Sequence, residues 1–566
     1  MKSVSGKDWE EINVSERVIE RIKISHNIST IQAKIVSSRY FSDTEIYSIK
    51  NNINFNNPFY KNNDFLETCK ILKDNIDKDN KVLIIGDYDV DGCVSTSLMV
   101  NFLKKINVKV NFYIPDRVHD GYGASKELMI RLVSKNKPQL IIFLDCGSNA
   151  HDAIKYLKKN KIRSIIIDHH NIQKPYPLSN SLINPKKKIL NNEYNYLCTA
   201  FLTYLLIDLY IIQNKLRFSF KSELIYVLLA TVSDIMPLRG INRLLAINIL
   251  KEFDLNKNFI LDNLFKIFRI KKKIELDDLG YLVGPVFNSA GRLDKANQIV
   301  ELLTTNSKHH ALKIIENIYK LNLKRKLIES RCMDDLDFKN LSNQGGVIFI
   351  YKNDIPEGII GIIASKIKEY FAKPCIVLTN SGNIIKGSAR STSDFNIGEY
   401  IHKATIKDIV ISGGGHNLAA GVTLKKTNLS LFKNFIDNFY QKKKYNVSNI
   451  FINKISLNSI NKMFLNDINN LGPWGNGNDN PIFLIQNVKI IKYSLIKNKF
   501  ISCYIKSNNK MFRAISFNPI NSKISYQIKN SKKSLDILIK VKENKWNNKS
   551  SIQLEIIDVI DDTINT

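Results

Sequence analysis

The chain lacks paired cysteines. Cys69, Cys93, Cys146, Cys198, Cys332, Cys375 and Cys503 are scattered singly, with no Cys-x-x-Cys anywhere. That spacing argues against a zinc ribbon and a disulfide framework, and it suits a reducing, cytoplasmic setting. Long apolar runs are also missing. The most hydrophobic stretch, 202–212, contains Asp208 and falls well short of the ~20 residues that a membrane span requires. The opening MKSVSGKDWE has no apolar core of the kind a secretory signal carries. Internal repeats and low-complexity tails are absent too. Acid is in deficit: Asp and Glu number 53 against 83 Lys and Arg, a net charge of +30. Such an excess fits a polyanionic partner, either nucleic acid or an anionic membrane surface. Enrichment in Lys, Asn and Ile along the whole chain accounts for it equally well, so charge alone does not decide.

What is present is a folded composition, 44% apolar and 24% charged over 566 residues, enough for three or four domains at roughly 150 residues each. The first 60 residues carry no usable motif. From Lys81 onward, short apolar runs (82–85, 108–114, 140–144 and 164–167) alternate with amphipathic stretches such as 95–106 and 153–160. This alternation predicts an α/β domain built on a parallel sheet. Residues 197–260 read as mostly helical, and 295–335 as one connector helix. A second α/β block starts near Gly345 and ends at the basic run Lys442 to Lys444. The remainder alternates as short strands around an Asn-Gly-Asn turn, which predicts a small β-barrel. The expected boundaries are 1–60, 61–294, 295–335, 336–446 and 447–566.

Three of the predicted strands end in acid. The first runs into Asp87-Tyr-Asp89-Val-Asp91-Gly92, the second into Asp145-Cys-Gly147, the third into Asp168-His169-His170. Ligands of open parallel sheets bind beyond the carboxyl ends of the strands, where strand order reverses, so these residues should share one crevice. Carboxylates crowded together raise one another's pKa, and a divalent cation removes the conflict. A donor set of carboxylates with His and no thiolate favours Mn²⁺ or Mg²⁺. Asp234, closing the apolar helix that precedes it, could complete the set from the opposite wall. Any one of these acids could instead be a helix N-cap, but three acidic strand ends beside a His pair are not explained by capping alone.

In order and spacing these segments, with Thr231-Val-Ser-Asp234, resemble the four motifs of the DHH phosphoesterase family. Tyr113-Ile-Pro-Asp-Arg117 with Asp120-Gly-Tyr-Gly123, and Gly284-Pro-Val-Phe-Asn288-Ser-Ala-Gly-Arg292-Leu-Asp294, are similar to its RecJ branch. Gly413-Gly-Gly-His416-Asn-Leu-Ala-Ala-Gly421 resembles the accessory DHHA1 domain. Leu471-Gly-Pro-Trp-Gly-Asn-Gly-Asn478 with Pro481-Ile-Phe483 resembles the start of an OB-fold. The likeness runs from about residue 60 to the C-terminus. One departure stands out: Pro356-Glu357 occupies the place where RecJ proteins usually carry Trp-His.

The resemblance implies a DHH domain, a connector helix, a DHHA1 domain and an OB-fold barrel. It implies two divalent ions and a water nucleophile acting on single-stranded DNA from its 5′ end, with 5′-mononucleotides released in repair and recombination. Asp89, Asp91, Asp145, His169 and Asp234 are the implied metal ligands. Asp87 is a ligand or orients one, Asp168 holds the neighbouring imidazole, and His170 contacts the scissile phosphate or assists the leaving group. Arg117, Asn288, Arg292, Ser388 and Arg390 would hold the substrate and its terminal phosphate, since the guanidinium fork suits phosphate oxygens. Gly414, Gly415 and His416 would approach phosphates from a glycine-rich turn. Tyr504, Phe512, Phe517 and Trp546 are candidate stacking platforms in the barrel. A monomer partnered by a helicase and a single-strand-binding protein is also implied. Competing readings are an oligoribonucleotide or cyclic-dinucleotide phosphodiesterase, an inactive single-strand-binding scaffold, and a pyrophosphatase. The barrel counts against the first and last, and the retained acids and histidines against the second.

Overall fold

The computed structural model describes residues 1–116, 120, 123–187, 193–441, 449–496, 499–531, 533–546 and 549–561. The chain divides into two compact units, one of residues 56–236 with 249–445, the other of 1–55, 237–248 and 446–566.

The larger unit holds two sheets. Strands β1 (Val82–Ile85), β2 (Val110–Tyr113), β3 (Leu140–Leu144), β4 (Arg163–Ile167) and β5 (Ser181–Ile183) form an all-parallel sheet in the order β2-β1-β3-β4-β5. Every residue of β1 and β3 is buried, which is why they read as unbroken apolar runs rather than as alternation. One face packs on helices α2 (Lys126–Asn136) and α3 (His151–Lys159) through Leu83, Phe143, Met129 and Ile154. On the other side lies helix α1 (Val90–Lys105), backed by α4 (Thr199–Gln213) and α5 (Leu224–Ser233). α4 and α5 are apolar on nearly all sides because they are buried on nearly all sides. Strand order reverses between β1 and β3, which places the crevice at the ends of these two strands.

The second sheet combines β6 (Ile348–Tyr351), β7 (Cys375–Ser381), β8 (Ile384–Arg390), β9 (Ser412–His416) and β10 (Ala419–Lys425) in the order β9-β10-β8-β7-β6. Only the β6–β7 pair is parallel. Between the sheets run α6 (Gly284–Leu293), α7 (Asn297–Thr304) and α8 (Lys308–Asp334). The expected single connector over 295–335 is thus two helices. The chain turns at Thr305–Ser307, where the Ser307 hydroxyl accepts the His310 N–H at 3.2 Å and starts α8 afresh.

The smaller unit contains the expected barrel. Strands β11 (Phe483–Ile496), β12 (Phe500–Ser507), β13 (Lys510–Ser516), β14 (Leu535–Trp546) and β15 (Lys549–Val559) run β11-β12-β13-β15-β14, and a β11–β14 pairing closes the ring. Residues 1–55 do not stand apart as an extension. Ala33, Ile35 and Val36 share one core with Phe483, Ile505 and Ile539, and Trp9–Glu11 pairs in parallel with Asn449–Phe451. Segment 237–248 belongs here as well. Arg239 forks onto Glu45 at 2.8 and 3.0 Å, and the fully buried Arg243 donates to Ser48 Oγ and to the carbonyls of Leu471 and Gly472. Of the candidate platforms, Tyr504 stands outward with Lys492 and Arg513 opposite it on the flanking strands. Phe517 is half-exposed against Phe500. Phe512 instead packs on the barrel core, because it lies on the inward face of β13. The Trp546 side chain lies outside the described residues. Among the described residues no helix is long and apolar enough to cross a membrane.

Candidate metal centre

Immediately after β1 the chain turns back over the start of α1. A side chain at Gly92 would meet the Asp87 backbone at 2.5 Å, so only glycine permits this approach. Asp89 is the N-cap of α1, accepting the Gly92 N–H at 3.0 Å. Asp91 is fully buried and takes the same role for another helix: its two oxygens accept the N–H groups of Thr199 and Ala200, both at 2.8 Å, at the start of α4. Capping and metal-ligand geometry therefore coincide in these residues. At the end of β3, Asp145 adopts a left-handed backbone with φ 63° and accepts the Thr199 hydroxyl at 2.9 Å. A non-glycine residue held in that region costs energy, which the contacts around Asp145 must offset.

The side chains converge as the sequence suggests. Ligand atoms of Asp87, Asp89 and Asp145 lie within 4.8 Å of one another, as do those of Asp91, His169 and Asp234, and those of Asp145, His169 and His170. His169 Nε2 is 3.3 Å from Asp145, 3.3 Å from Asp234 and 3.8 Å from Asp91. Burial and the neighbouring acids push Asp87 up to about 7 and Asp91 up to about 6, and drive Asp145 and Asp234 well above the carboxylate range. Burial holds His169 down to about 3, so it is a neutral electron-pair donor among acids. His169 Nδ1 and Asp234 Oδ2 are both buried without a hydrogen-bond partner. The orphaned Asp234 oxygen beside crowded acids is what a hard divalent cation would satisfy, with His169 Nε2, the nitrogen turned to those acids, as the imidazole donor. The donor set fits such an ion: Asp91, His169 and Asp234 on one side, Asp87, Asp89 and Asp145 on the other.

Asp168 stands behind this group. One oxygen accepts the His169 and His170 N–H groups and the His170 ring Nδ1, the last at 2.7 Å; the other accepts the Ser148 N–H at 3.0 Å. The ring it orients is that of His170, not that of the adjacent His169. Burial opposes charge on both residues, yet this bond holds Asp168 below the carboxylate range and raises His170 to about 9.

Substrate-side candidates divide. Arg117 lies outside the described residues. Asn288 is half-buried on α6, one turn before Arg292. Arg292 Nη1 donates to the Gly358 carbonyl at 2.9 Å, and a side chain at Gly358 would lie 2.1 Å from the Arg292 carbonyl. Gly358 opens helix α9 (Glu357–Phe371), which covers β7 and β8. One turn along, Gly361 faces Ser388 and Arg390, whose Nη1 donates to Ser388 Oγ at 3.1 Å. Two arginines and a serine thus gather at the start of one helix, a favourable place for an anion. In the departure segment, Pro356 precedes the helix and Glu357 pairs with Lys386 at 2.8 Å.

Gly413–His416 is a strand rather than the expected turn. It is β9, the edge of the second sheet, paired to β10 with Gly414 opposite Gly421 and His416 opposite Ala419. The next residues in register, Ser388 and Arg390, lie on the same sheet face. Positions 414 and 421 have open space above them. The result is a bare floor of small residues bordered by Arg390 and His416. His416 Nδ1 lies 2.8 Å from Asn171 Nδ2, just beyond the His pair. Asn171, Ser148, Asn184 and Lys186 were not singled out in the sequence, because no acidic or glycine motif marks them.

Residues 81–231 match the DHH family N-terminal domain, 344–442 the DHHA1 domain and 453–558 the RecJ OB domain. The chain is 27% identical over 567 residues to the single-stranded-DNA-specific exonuclease RecJ of Bacillus subtilis, covering 97% of this chain and 70% of that protein. It is 25% identical over 526 residues to the Haemophilus influenzae protein of the same name, covering 88% and 91%. In fold it resembles the crystal structure of RecJ in complex with Mn²⁺ from Thermus thermophilus, with a TM-score of 0.82 at 19% identity over 98% of this chain and 79% of that one.

Proposed function

The chain belongs to the RecJ branch of the DHH phosphoesterases, and we propose that it is a Mn²⁺- or Mg²⁺-dependent exonuclease that hydrolyses single-stranded DNA from the 5′ end and releases 5′-mononucleotides. The observation that carries this reading is the gathering of five carboxylates around Asp145 and His169, with a buried Asp234 oxygen that the protein leaves unsatisfied. Asp87, Asp89, Asp91, Asp145, His169 and Asp234 would hold two ions, which supply a nucleophilic water at neutral pH and charge stabilisation in line with the leaving oxygen.

The protein's own groups do the rest. Asp168 fixes the His170 ring through Nδ1 and keeps it protonated near neutrality, so Nε2 can donate a proton to the departing 3′-oxygen. Arg292, Ser388 and Arg390 would seat the 5′-terminal phosphate and block a continuing chain. The glycine floor of β9 and β10 admits the strand close to the sheet, with His416 at its margin. Arg390→Ala should lower the preference for a 5′-phosphate over a 5′-hydroxyl end by roughly tenfold or more, the worth of a charge-assisted hydrogen bond. Competition between the two oligonucleotides measures it, and an unchanged ratio removes Arg390 from the pocket. The barrel, with Tyr504 between Lys492 and Arg513, suits non-specific single-strand binding. A monomeric cytoplasmic enzyme working in repair and recombination with a helicase and a single-strand-binding protein completes the reading, and rests on family membership alone.

The test is incubation with Mn²⁺ and a 5′-labelled single strand, its 3′-labelled twin and a blunt duplex. Immediate release of labelled mononucleotide from the 5′ label alone, with the duplex spared, is expected. Tight binding without cleavage would favour a scaffold instead.

A further inference from the structure

Five carboxylates set against two divalent ions leave one net negative charge, and every incoming phosphodiester adds another. A fixed cation at the rim of the centre would relieve that repulsion. Lys186 is the candidate: its backbone is tied by Asn184 to the His pair, and its ammonium interacts with Asp234 and Asp168. It follows β5 in a run of lysines, and its neighbour shows what an ordinary lysine does there: Lys187 Nζ is tied to Asp64 and to the Leu182 carbonyl, both at 2.8 Å. The Lys186 ammonium, half-buried, makes no ion pair or hydrogen bond among the described residues.

Its backbone, in contrast, is closely held. Asn184 is buried and donates to Ser148 Oγ and to the His170 carbonyl, both at 2.9 Å, and its own oxygen accepts the Lys186 N–H at 2.8 Å. Ser148 in turn binds Asp168. The lysine is thus registered to the His pair through one amide side chain. Burial and its electrostatic surroundings agree with this placement, since the ammonium acts on Asp234, Asp168, His169 and His416.

We propose that Lys186 is a further catalytic residue, its ammonium donating to a non-bridging oxygen of the scissile phosphate and stabilising the charge that builds there during hydrolysis. This rests on the nuclease reading above. In the step, the water oxygen bonds to phosphorus and the P–O3′ bond breaks. His170 gives its proton to the 3′-oxygen, one water hydrogen replaces it on the imidazole and the other ends on the new 5′-phosphate, while Lys186 stays protonated throughout. Preorganised donors of this kind act on the barrier rather than on binding.

The experiment compares wild type, Lys186→Ala and Lys186→Arg as full chains on a 5′-phosphorylated single strand, with Mn²⁺ affinity measured by calorimetry. It also uses strands bearing either phosphorothioate diastereomer at the first linkage. Lys186→Ala should lower kcat by about 100-fold, the usual loss for one such donor, with KM and Mn²⁺ affinity within about threefold and partial recovery in Lys186→Arg. The slowing caused by sulfur at one diastereomer should shrink in Lys186→Ala. Unchanged kcat, or a loss of Mn²⁺ affinity that matches the loss of activity, overturns the assignment while leaving the nuclease reading intact. A wild-type chain that cleaves nothing overturns both.

Discussion

Asp91→Ala should abolish cleavage, lowering kcat by at least about 10⁴-fold, equivalent to roughly 5 kcal/mol of transition-state stabilisation. Single-strand affinity should persist, because the barrel has its own core and its own outward aromatic. Asp91 also caps α4 with both oxygens, so the variant should lose about 1–2 kcal/mol of stability as well. His169→Ala separates the two effects. His169 caps no helix, so cleavage should disappear there too while any lost stability reports only the cavity left by a buried imidazole. Single-turnover cleavage, fluorescence anisotropy and thermal denaturation of both variants provide the comparison. Normal turnover with lost binding in Asp91→Ala would refute the assignment.

The second large effect concerns pH and metal together. Asp87 and Asp91 titrate near 7 and 6 in the folded chain against 3.8 when unfolded, and Asp145 and Asp234 are raised further. Raised folded-state values mean that the folded chain holds protons the unfolded chain has lost. Their contribution is therefore complete below about pH 4 and is lost as pH rises through 6 to 7. His169, held down to about 3, works the other way below 6.5, but four acids outweigh one imidazole. The metal-free protein should lose stability on the order of several kcal/mol between pH 5 and 8. Added Mn²⁺ should raise the midpoint by several degrees more at pH 8 than at pH 5. Binding at pH 6 should release protons, seen by calorimetry in buffers of different ionisation enthalpy. Equal metal-free stability at both pH values, with no proton release, would show that these acids do not share one centre.

The acids were legible in the sequence because three acidic motifs follow buried strands and Asp234 closes a buried helix, and an apolar run stopping in Asp is conspicuous. Residues acting through geometry were not. Asn184 and Ser148 carry no signature, and Lys186 is hidden in a lysine run whose other described member is structural. β5 was overlooked because three residues give no periodicity. Gly413–His416 read as a turn because glycine has little strand propensity, yet pairing with β10 overrides it. The burial of residues 1–55 against the barrel depends on contacts more than 400 residues apart, such as Trp9 with Asp558, and no local pattern announces these.

Segment 237–248 makes deletion experiments less simple than the linear order suggests. The chain leaves the catalytic unit three residues after Asp234, enters the core of the barrel unit, and then returns. A trimmed version ending near residue 445 would strip Arg243 of its carbonyl acceptors at Leu471 and Gly472 and leave a buried guanidinium exposed within a tether of Asp234. Removing the first 55 residues would take Glu45 from Arg239 and Ser48 from Arg243. Neither end is a detachable appendage, and activity lost on shortening the gene would report a disturbed tether as readily as missing DNA contacts.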